Sequence, residues 1–243
     1  MKYLILADIH SNLEAFEAVL FDAEGHGGFD RVWCLGDVVG YGPNPSECIG
    51  LLRSYDHICV CGNHDLAAIG KIDIADFNED AALANEWTSV QLSDEDREYL
   101  ASLQESHLED NFTLVHGSPS ATVWEYITSS FSAMKNFKHY YTQFCLVGHS
   151  HVPLYFEHDE LLVNEGYMGH GDKLKLGETR LIINPGGVGQ PRDRDPRASY
   201  AVFNSDEMTI VNYRCSYNIG ITQEKMEEAG LPGFLISRLG WGV

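Results

Sequence analysis

Five short segments carry side chains of the kind that bind transition metals: Asp8-Ile-His10-Ser-Asn12, Gly36-Asp37, Gly62-Asn63-His64-Asp65, His116-Gly117 and Gly148-His149-Ser150-His151. Together they offer imidazole nitrogens, carboxylate oxygens and an amide oxygen. That mixture suits Mn, Fe, Zn or Co, whereas an all-oxygen set would suit Mg or Ca. No cysteine falls among them, which argues against a structural zinc site. In extended backbone, residues i and i+2 project to the same side, so Asp8 with His10, and His149 with His151, are each expected to aim two donors at one place. Glycine beside a donor lets the chain turn sharply and approach closely.

Seven donors (Asp8, His10, Asp37, Asn63, His116, His149 and His151) exceed what one ion holds alongside water and substrate. Shared between two ions with Asp37 bridging, they give four ligands each: Asp8, His10, Asp37 and His151 on one, Asp37, Asn63, His116 and His149 on the other. Two divalent cations about 3.5–4 Å apart stabilise both the attacking and the departing oxygen of an in-line displacement. They also depress the pKa of a bridging water, so that hydroxide is available at neutral pH. The chemistry expected is hydrolysis of a phosphate ester or anhydride, with manganese the first choice of metal and iron, zinc, cobalt or nickel as alternatives. His64 is left over beside Asn63. It is expected to neutralise charge on the phosphoryl oxygens or to protonate the leaving oxygen, with Asp65 orienting its ring.

Blander readings account for other residues. A lone histidine is usually a packed or surface group, and His26, His57, His107, His139, His158 and His170 are read that way. Asp8 and Asp37 follow apolar runs where an unpaired carboxylate is costly, so a cation partner is expected there. Asn12 reads first as a helix N-cap and second as a substrate contact. Asn63 serves as ligand and substrate contact, and Arg192 or Arg194, beside the Asn184–Gly189 turn, as a phosphate clamp. Tyr41 and Asn44 are candidates for a wall of the leaving-group pocket. Asn184 and Gly186-Gly187 either form a tight turn or present backbone N–H groups to phosphate, and Trp87 and Trp124 read as packing.

The elements that must position these segments alternate over the first 65 residues. Tyr3–Ala7 reads as a buried strand, Asn12–Glu24 as a helix, Arg31–Leu35 as a strand, Ser46–Ser54 as a helix opened by Pro45, and His57–Cys61 as a third strand. That order implies parallel pairing with right-handed crossovers, and loops at the carboxyl ends of parallel strands are where ligands bind. Residues 76–105 read as helical and more polar, within a cap or insertion around 66–105. Phe112–Val115, Phe144–Val147, Leu154–His158, Thr179–Ile183, Tyr200–Asn204 and Met208–Tyr213 then read as strands of a second, mostly antiparallel sheet packed on the first. A short helix at Thr222–Ala229 closes the chain. One α/β domain over 1–243 is expected.

The composition narrows the partners. Thirty-six acidic residues against 16 Lys plus Arg give a formal charge of −20 in 243 residues. Such a surface repels duplex nucleic acid and attracts divalent cations. Bound metal can reverse the potential locally for a small phosphorylated substrate. Six cysteines without a C-x-x-C pair read as buried thiols of a reducing compartment, and no apolar run is long enough to span a bilayer. A cytoplasmic location without membrane partners is expected.

The order D-x-H, GD, GNHD, HG, GH-x-H over residues 8–151 resembles the calcineurin-like metallophosphoesterases. Ser-Asn-Leu-Glu-Ala (11–15), Gly-Asp-Val-Val-Gly-Tyr-Gly-Pro (36–43) and Asn-Pro-Gly-Gly-Val-Gly-Gln-Pro-Arg (184–192) resemble a bacterial and archaeal branch related to diadenosine tetraphosphatases. The resemblance implies a four-layer αββα sandwich of two packed mixed sheets flanked by helices, and a ligand set that coincides with the one reached by counting. It implies a small phosphodiester, nucleotide or dinucleoside polyphosphate as substrate. Ser/Thr protein phosphatases of this superfamily carry an aspartate–arginine–glycine triplet after the GD block. Gly40-Tyr41-Gly42 stands in its place here, and Asp65 stands where those enzymes have glutamate. Protein-phosphatase activity, or a non-catalytic scaffold that retained the fold, are the alternatives.

Overall fold

A computed structural model describes residues 1–159 and 161–243. Its strands are β1 (Lys2–Leu6), β2 (Arg31–Cys34), β3 (His57–Cys59), β4 (Ser106–Glu109), β5 (Phe112–Val115), β6 (Phe144–Leu146), β7 (Pro153–Asp159), β8 (Leu162–Tyr167), β9 (Lys173–Lys175), β10 (Arg180–Pro185), β11 (Ala198–Asn204) and β12 (Thr209–Cys215). Its helices are α1 (Leu13–Gly25), α2 (Pro45–Arg53), α3 (Asn63–Ala68), α4 (Glu79–Gln91), α5 (Asp94–Ser102), α6 (Ser130–Asn136), α7 (Ile219–Glu228) and α8 (Gly233–Arg238), with a one-turn 3-10 helix at Ile74–Asp76. No helix among the described residues is long and apolar enough to cross a membrane.

Two mixed six-stranded sheets result, ordered β3-β2-β1-β11-β12-β9 and β4-β5-β6-β10-β7-β8. In the first, β1, β2 and β3 are parallel. In the second, β5, β6 and β10 are parallel. The expected partition of early strands into one sheet and late strands into the other is corrected. β11 pairs antiparallel with β1 and carries β12 and β9 into the first sheet.

Alternation along β1 explains the layering, because successive side chains of a strand point to opposite faces. Tyr3, Ile5 and Ala7 face the second sheet, sharing a core with Trp33, Leu35, Phe112, Leu114, Phe144, Leu146, Leu181 and Ile183. Leu4 and Leu6 face outward and pack with Val32, Cys34, Phe16, Val19, Ile49 and Leu52 under α1 and α2. On the far side, Cys145, Phe156 and Ile182 are covered by Ala133, Phe137 and Tyr140. The sandwich has four layers, and α6 is the short helix of its thin outer one.

Trp33 is the largest side chain of the inter-sheet core. Its ring lies 4.3 Å from that of Tyr3 and 5.1 Å from that of Phe112, centre to centre. Trp33→Ala is expected to cost about 3–5 kcal/mol, read as a lowered urea midpoint, and a loss below about 1 kcal/mol would show that the sheets do not depend on it.

Several elements depart from the sequence expectation. The third strand ends at Cys59, after which Val60 makes a single parallel bridge to Gln104. The edge strands β4, β8 and β9 carry largely exposed residues, so no apolar run marks them. The Asn63-His64-Asp65 segment opens the short helix α3, where only a loop was expected. The carboxyl-terminal helix starts at Ile219, and α8 follows it.

Candidate metal centre

The donor segments lie at the carboxyl ends of β1, β2, β3, β5 and β6, so both sheets present their parallel strands to one rim. Main-chain hydrogen bonds knit these loops together: Asp8 N–H donates to Gly36 O, His10 N–H to Asp37 O, Gly148 N–H to His116 O and Gly189 N–H to Asp8 O. Two glycines permit close approach between the loops after β2 and β3. A Cβ on Gly62 would fall 2.0 Å from Asp37 Oδ1, and one on Gly36, where φ is +87°, would fall 2.6 Å from Gly62 N.

The donors converge, but not through extended backbone. Asp8, His10, Asp37, His149 and His151 all adopt left-handed conformations, with φ of 56°, 49°, 54°, 64° and 58°. The expectation that i and i+2 align because the chain is extended is therefore corrected. Each loop turns sharply at the donor itself, in a region that Asp and His enter more readily than most residues. Such conformations cost on the order of 1 kcal/mol or more each and cluster at functional sites.

Two groups of donors meet at Asp37. In the first, His151 Nε2 lies 3.3 Å from Asp8 Oδ1 and 3.2 Å from His10 Nε2, and His10 Nε2 lies 3.6 Å from Asp37 Oδ2. In the second, His116 Nε2 lies 3.3 Å from Asp37 Oδ2, 3.1 Å from Asn63 Oδ1 and 3.1 Å from His149 Nδ1. Asp37 Oδ2 is common to both. Two donors about 2.1 Å from one ion stand roughly 3.0 Å apart at a right angle and roughly 3.4 Å apart at the tetrahedral angle. These spacings fit a cation in each group.

The far side of each ring supports the same fit. His10 Nδ1 faces Val39 O at 3.1 Å, His116 Nδ1 faces Leu35 O at 2.8 Å, His151 Nδ1 faces Gln190 O at 2.5 Å and His149 Nε2 faces Trp124 O at 3.2 Å. A carbonyl only accepts, so each ring commits one N–H outward and leaves its other nitrogen as the atom a cation would take, as in metal-ligating imidazoles. Asp8 Oδ2 is buried without any hydrogen-bond partner, a costly arrangement that a cation relieves.

Burial lowers His10 and His151 well below the ordinary imidazole range and lowers His64 to about 4. It lowers His149 to about 3, with repulsion from His116 adding to the effect. Burial would lower His116 too, but the Asp37 charge prevails and raises it to about 9. Asp37 moves the other way: burial would raise it, and His116, His64 and His10 hold it far down. Burial raises Asp8 to about 7 against the pull of His116.

Above the donors lies an open cavity of about 230 Å³. Asp37, Asn63, His64, His149 and His151 line its inner part, and Tyr41, Phe77, Trp124, Tyr126 and Arg192 form its walls. Arg192 meets Tyr41 Oη at 3.5 Å and Gln190 Oε1 at 3.1 Å. Tyr126 stacks on His149 with ring centres 3.9 Å apart, and Phe77 lies 5.0 Å from Trp124.

Other expected site residues stand elsewhere. Arg194 is exposed and outside the cavity walls. Asn12 caps α1 by accepting from Ala15 N–H. Its amide nitrogen donates to Gly189 O and Tyr217 Oη, so it is a frame residue outside the cavity. Asn44 bonds Glu47 and Lys225 and is not a wall. Asn184 forms a turn, accepting from Gly186 N–H and donating to Gly148 O.

Asp65 does not orient His64. Its carboxylate accepts N–H groups of Asp37, Val39 and Gly62, locking two donor loops together. The partner of His64 Nδ1 is the Asn85 amide nitrogen, 2.9 Å away on α4. Sequence reasoning missed Asn85, Phe77, Tyr126 and Gln190. A usable signal existed for Asn85, which shares a helical stripe with Ala81, Ala84 and Thr88, all buried.

Fold and donor set together define a metallophosphoesterase, a hydrolase of phosphate ester or anhydride bonds. The model of the calcineurin-like phosphoesterase superfamily domain matches residues 1–208, and the chain belongs to that superfamily. It is 38% identical over 242 residues to the uncharacterised protein MJ0912 of Methanocaldococcus jannaschii, covering 97% of this chain and 96% of that one. The crystal structure of a metallophosphoesterase from Sphaerobacter thermophilus superposes with a TM-score of 0.92 at 46% identity, covering 100% of this chain and 99% of the other. A shorter stretch of 68 residues, 27% of this chain and 24% of the relative, is 35% identical to a symmetrical bis(5'-nucleosyl)-tetraphosphatase of Pseudomonas putida.

Proposed function

We propose that the protein hydrolyses a small phosphodiester, nucleotide or dinucleoside polyphosphate, using two divalent transition-metal ions, manganese foremost, that share Asp37. The observation that carries this reading is the position of Asp37 Oδ2 within 3.6 Å of His10 Nε2 and 3.3 Å of His116 Nε2, at the junction of two donor groups. Asp8, His10, Asp37 and His151 would hold one ion, and Asp37, Asn63, His116 and His149 the other. When bound, such a pair supplies Lewis acidity and a nucleophilic water for in-line attack at phosphorus.

The chain's own residues do the rest. Asn63 would touch both metal and phosphate, and Arg192, in the cavity wall, would offer a guanidinium to phosphate oxygens. His64 faces developing charge with the N–H of a neutral ring. Tyr41, Phe77, Trp124 and Tyr126 give the walls flat apolar surface, which suits an aromatic leaving group such as a nucleobase. The likeness to a bis(5'-nucleosyl)-tetraphosphatase supports the same substrate class. Six free cysteines, five of them buried, fit a reducing compartment such as the cytoplasm.

The test is hydrolysis by Mn²⁺-loaded protein of bis(p-nitrophenyl) phosphate, mononucleotides, cyclic nucleotides, a dinucleoside polyphosphate and a phosphopeptide. Metal-dependent turnover of a diester or nucleotide well above that of the phosphopeptide is expected. Phosphopeptide turnover as the fastest reaction, or no turnover by protein with metal bound, would overturn the proposal.

A further inference from the structure

Helix α4 contributes one polar side chain to the site. Asn85 is 0% exposed, so its amide is fully removed from water. Its Nδ2 lies 3.0 Å from Ala81 O, in its own helix, and 2.9 Å from His64 Nδ1. Both contacts use the same nitrogen. The Ala81 carbonyl only accepts, and turning the amide round would set two oxygens against each other at that distance. The NH₂ group is therefore fixed toward His64, and Nδ1 of that ring has acceptance as its only role. The ring proton consequently sits on Nε2.

We infer, resting on the hydrolase reading above, that Asn85 is a positioning residue that holds His64 as the Nε2–H tautomer and so withholds it from cation binding. Geometry without protons groups His64 with His10 and Asp37, their donor atoms lying within 4.8 Å of one another. A nitrogen that carries a proton has no lone pair for a metal, so that trio is not a third cation site. The role left for Nε2–H is donation of a hydrogen bond to a phosphoryl or leaving oxygen.

No side chain from the loop after β2 can take over this task from the Gly40 side. A Cβ on Gly40 would meet His64 Nδ1 at 2.5 Å. The ring is instead packed between Tyr41, at 4.3 Å, and Phe77, at 4.9 Å between centres. Helix α4 is anchored through Ala81 and Ala84, which pack with Met226, Leu231, Leu235 and Leu239 of the carboxyl-terminal segment. The segment after the last strand thereby sets the height of Asn85 over the site.

Nitrogen-15 spectra of histidine-labelled, Zn²⁺-loaded protein test this directly, with His64→Ala identifying the His64 signals. A neutral Nε2–H pattern is expected in the parent protein, and a shift of the proton toward Nδ1 in Asn85→Asp, whose carboxylate only accepts. Asn85→Ala is expected to lower kcat on bis(p-nitrophenyl) phosphate by about 10–100-fold with metal content and KM little changed. In a His64→Ala background it should add less than about twofold, because coupled residues are not additive. A proton on His64 Nδ1 in the parent protein overturns the inference, and so does an Asn85→Ala loss equally large with and without His64. If Asn85→Ala does not fold, the parent spectrum alone decides. A metal-loaded parent that hydrolyses nothing sinks the hydrolase reading, and the tautomer is still read independently.

Discussion

Asp37→Asn is expected to abolish measurable turnover and to lower the bound metal from two ions per chain toward one or none. Asn keeps the size of the side chain but has only one oxygen. In the structure, Asp37 uses both: Oδ1 accepts the His64 N–H at 2.9 Å, and Oδ2 faces His10 and His116. An amide turned to preserve one contact presents NH₂ to the other. Losing a shared anionic ligand removes several kcal/mol of transition-state charge stabilisation, which corresponds to roughly 10³-fold or more in rate. Metal analysis of dialysed protein together with steady-state rates checks it. A variant that keeps two ions and the parent rate would show that Asp37 does not bridge.

His64→Ala is expected to separate binding from catalysis: both metals retained, kcat down by about 10²–10³-fold. His64 stands beside the donors without being one. Its main-chain N–H holds Asp37, a contact that survives truncation of the side chain. The remaining ring nitrogen carries a proton in a cavity that phosphate would fill. Loss of a metal ion in this variant, seen by elemental analysis, would place His64 among the ligands instead.

Much of the fold was legible because its central strands are buried on both faces. Tyr3–Ala7, Arg31–Leu35, Phe112–Val115 and Phe144–Val147 read as short apolar runs, and the strands Lys2–Leu6, Arg31–Cys34, Phe112–Val115 and Phe144–Leu146 coincide with them to within a residue at either end. Sheet membership was not legible. β11 meets β1 in the register Tyr3↔Phe203, a pairing 200 residues apart that no local pattern encodes. Edge strands such as Leu162–Tyr167 carry polar, exposed residues and look like loop.

The donor side chains were readable as a set, since Asp, His and Asn recur in glycine-flanked segments after strands. How they converge was not, because the left-handed turn at Asp8 or His149 depends on the neighbouring loop to which it is bonded. Asp65 was misjudged for a similar reason. Adjacency in sequence suggested a partner for His64, whereas the first turn of α3 directs the two side chains to different neighbours. Asn85 lay hidden in a helix rich in alanine and acid, where only its stripe with Ala81 and Thr88 betrays burial.

The donors are divided between the sheets: Asp8, His10, Asp37 and Asn63 follow strands of one, while His116, His149 and His151 follow strands of the other. Cations held between them would act as rivets through the sandwich, each resisting any sliding or parting of the layers. Occupancy and cohesion then become a single equilibrium, so whatever loosens the aromatic seam around Trp33 also weakens the grip on metal, and a chelator works on the whole molecule as a denaturant does.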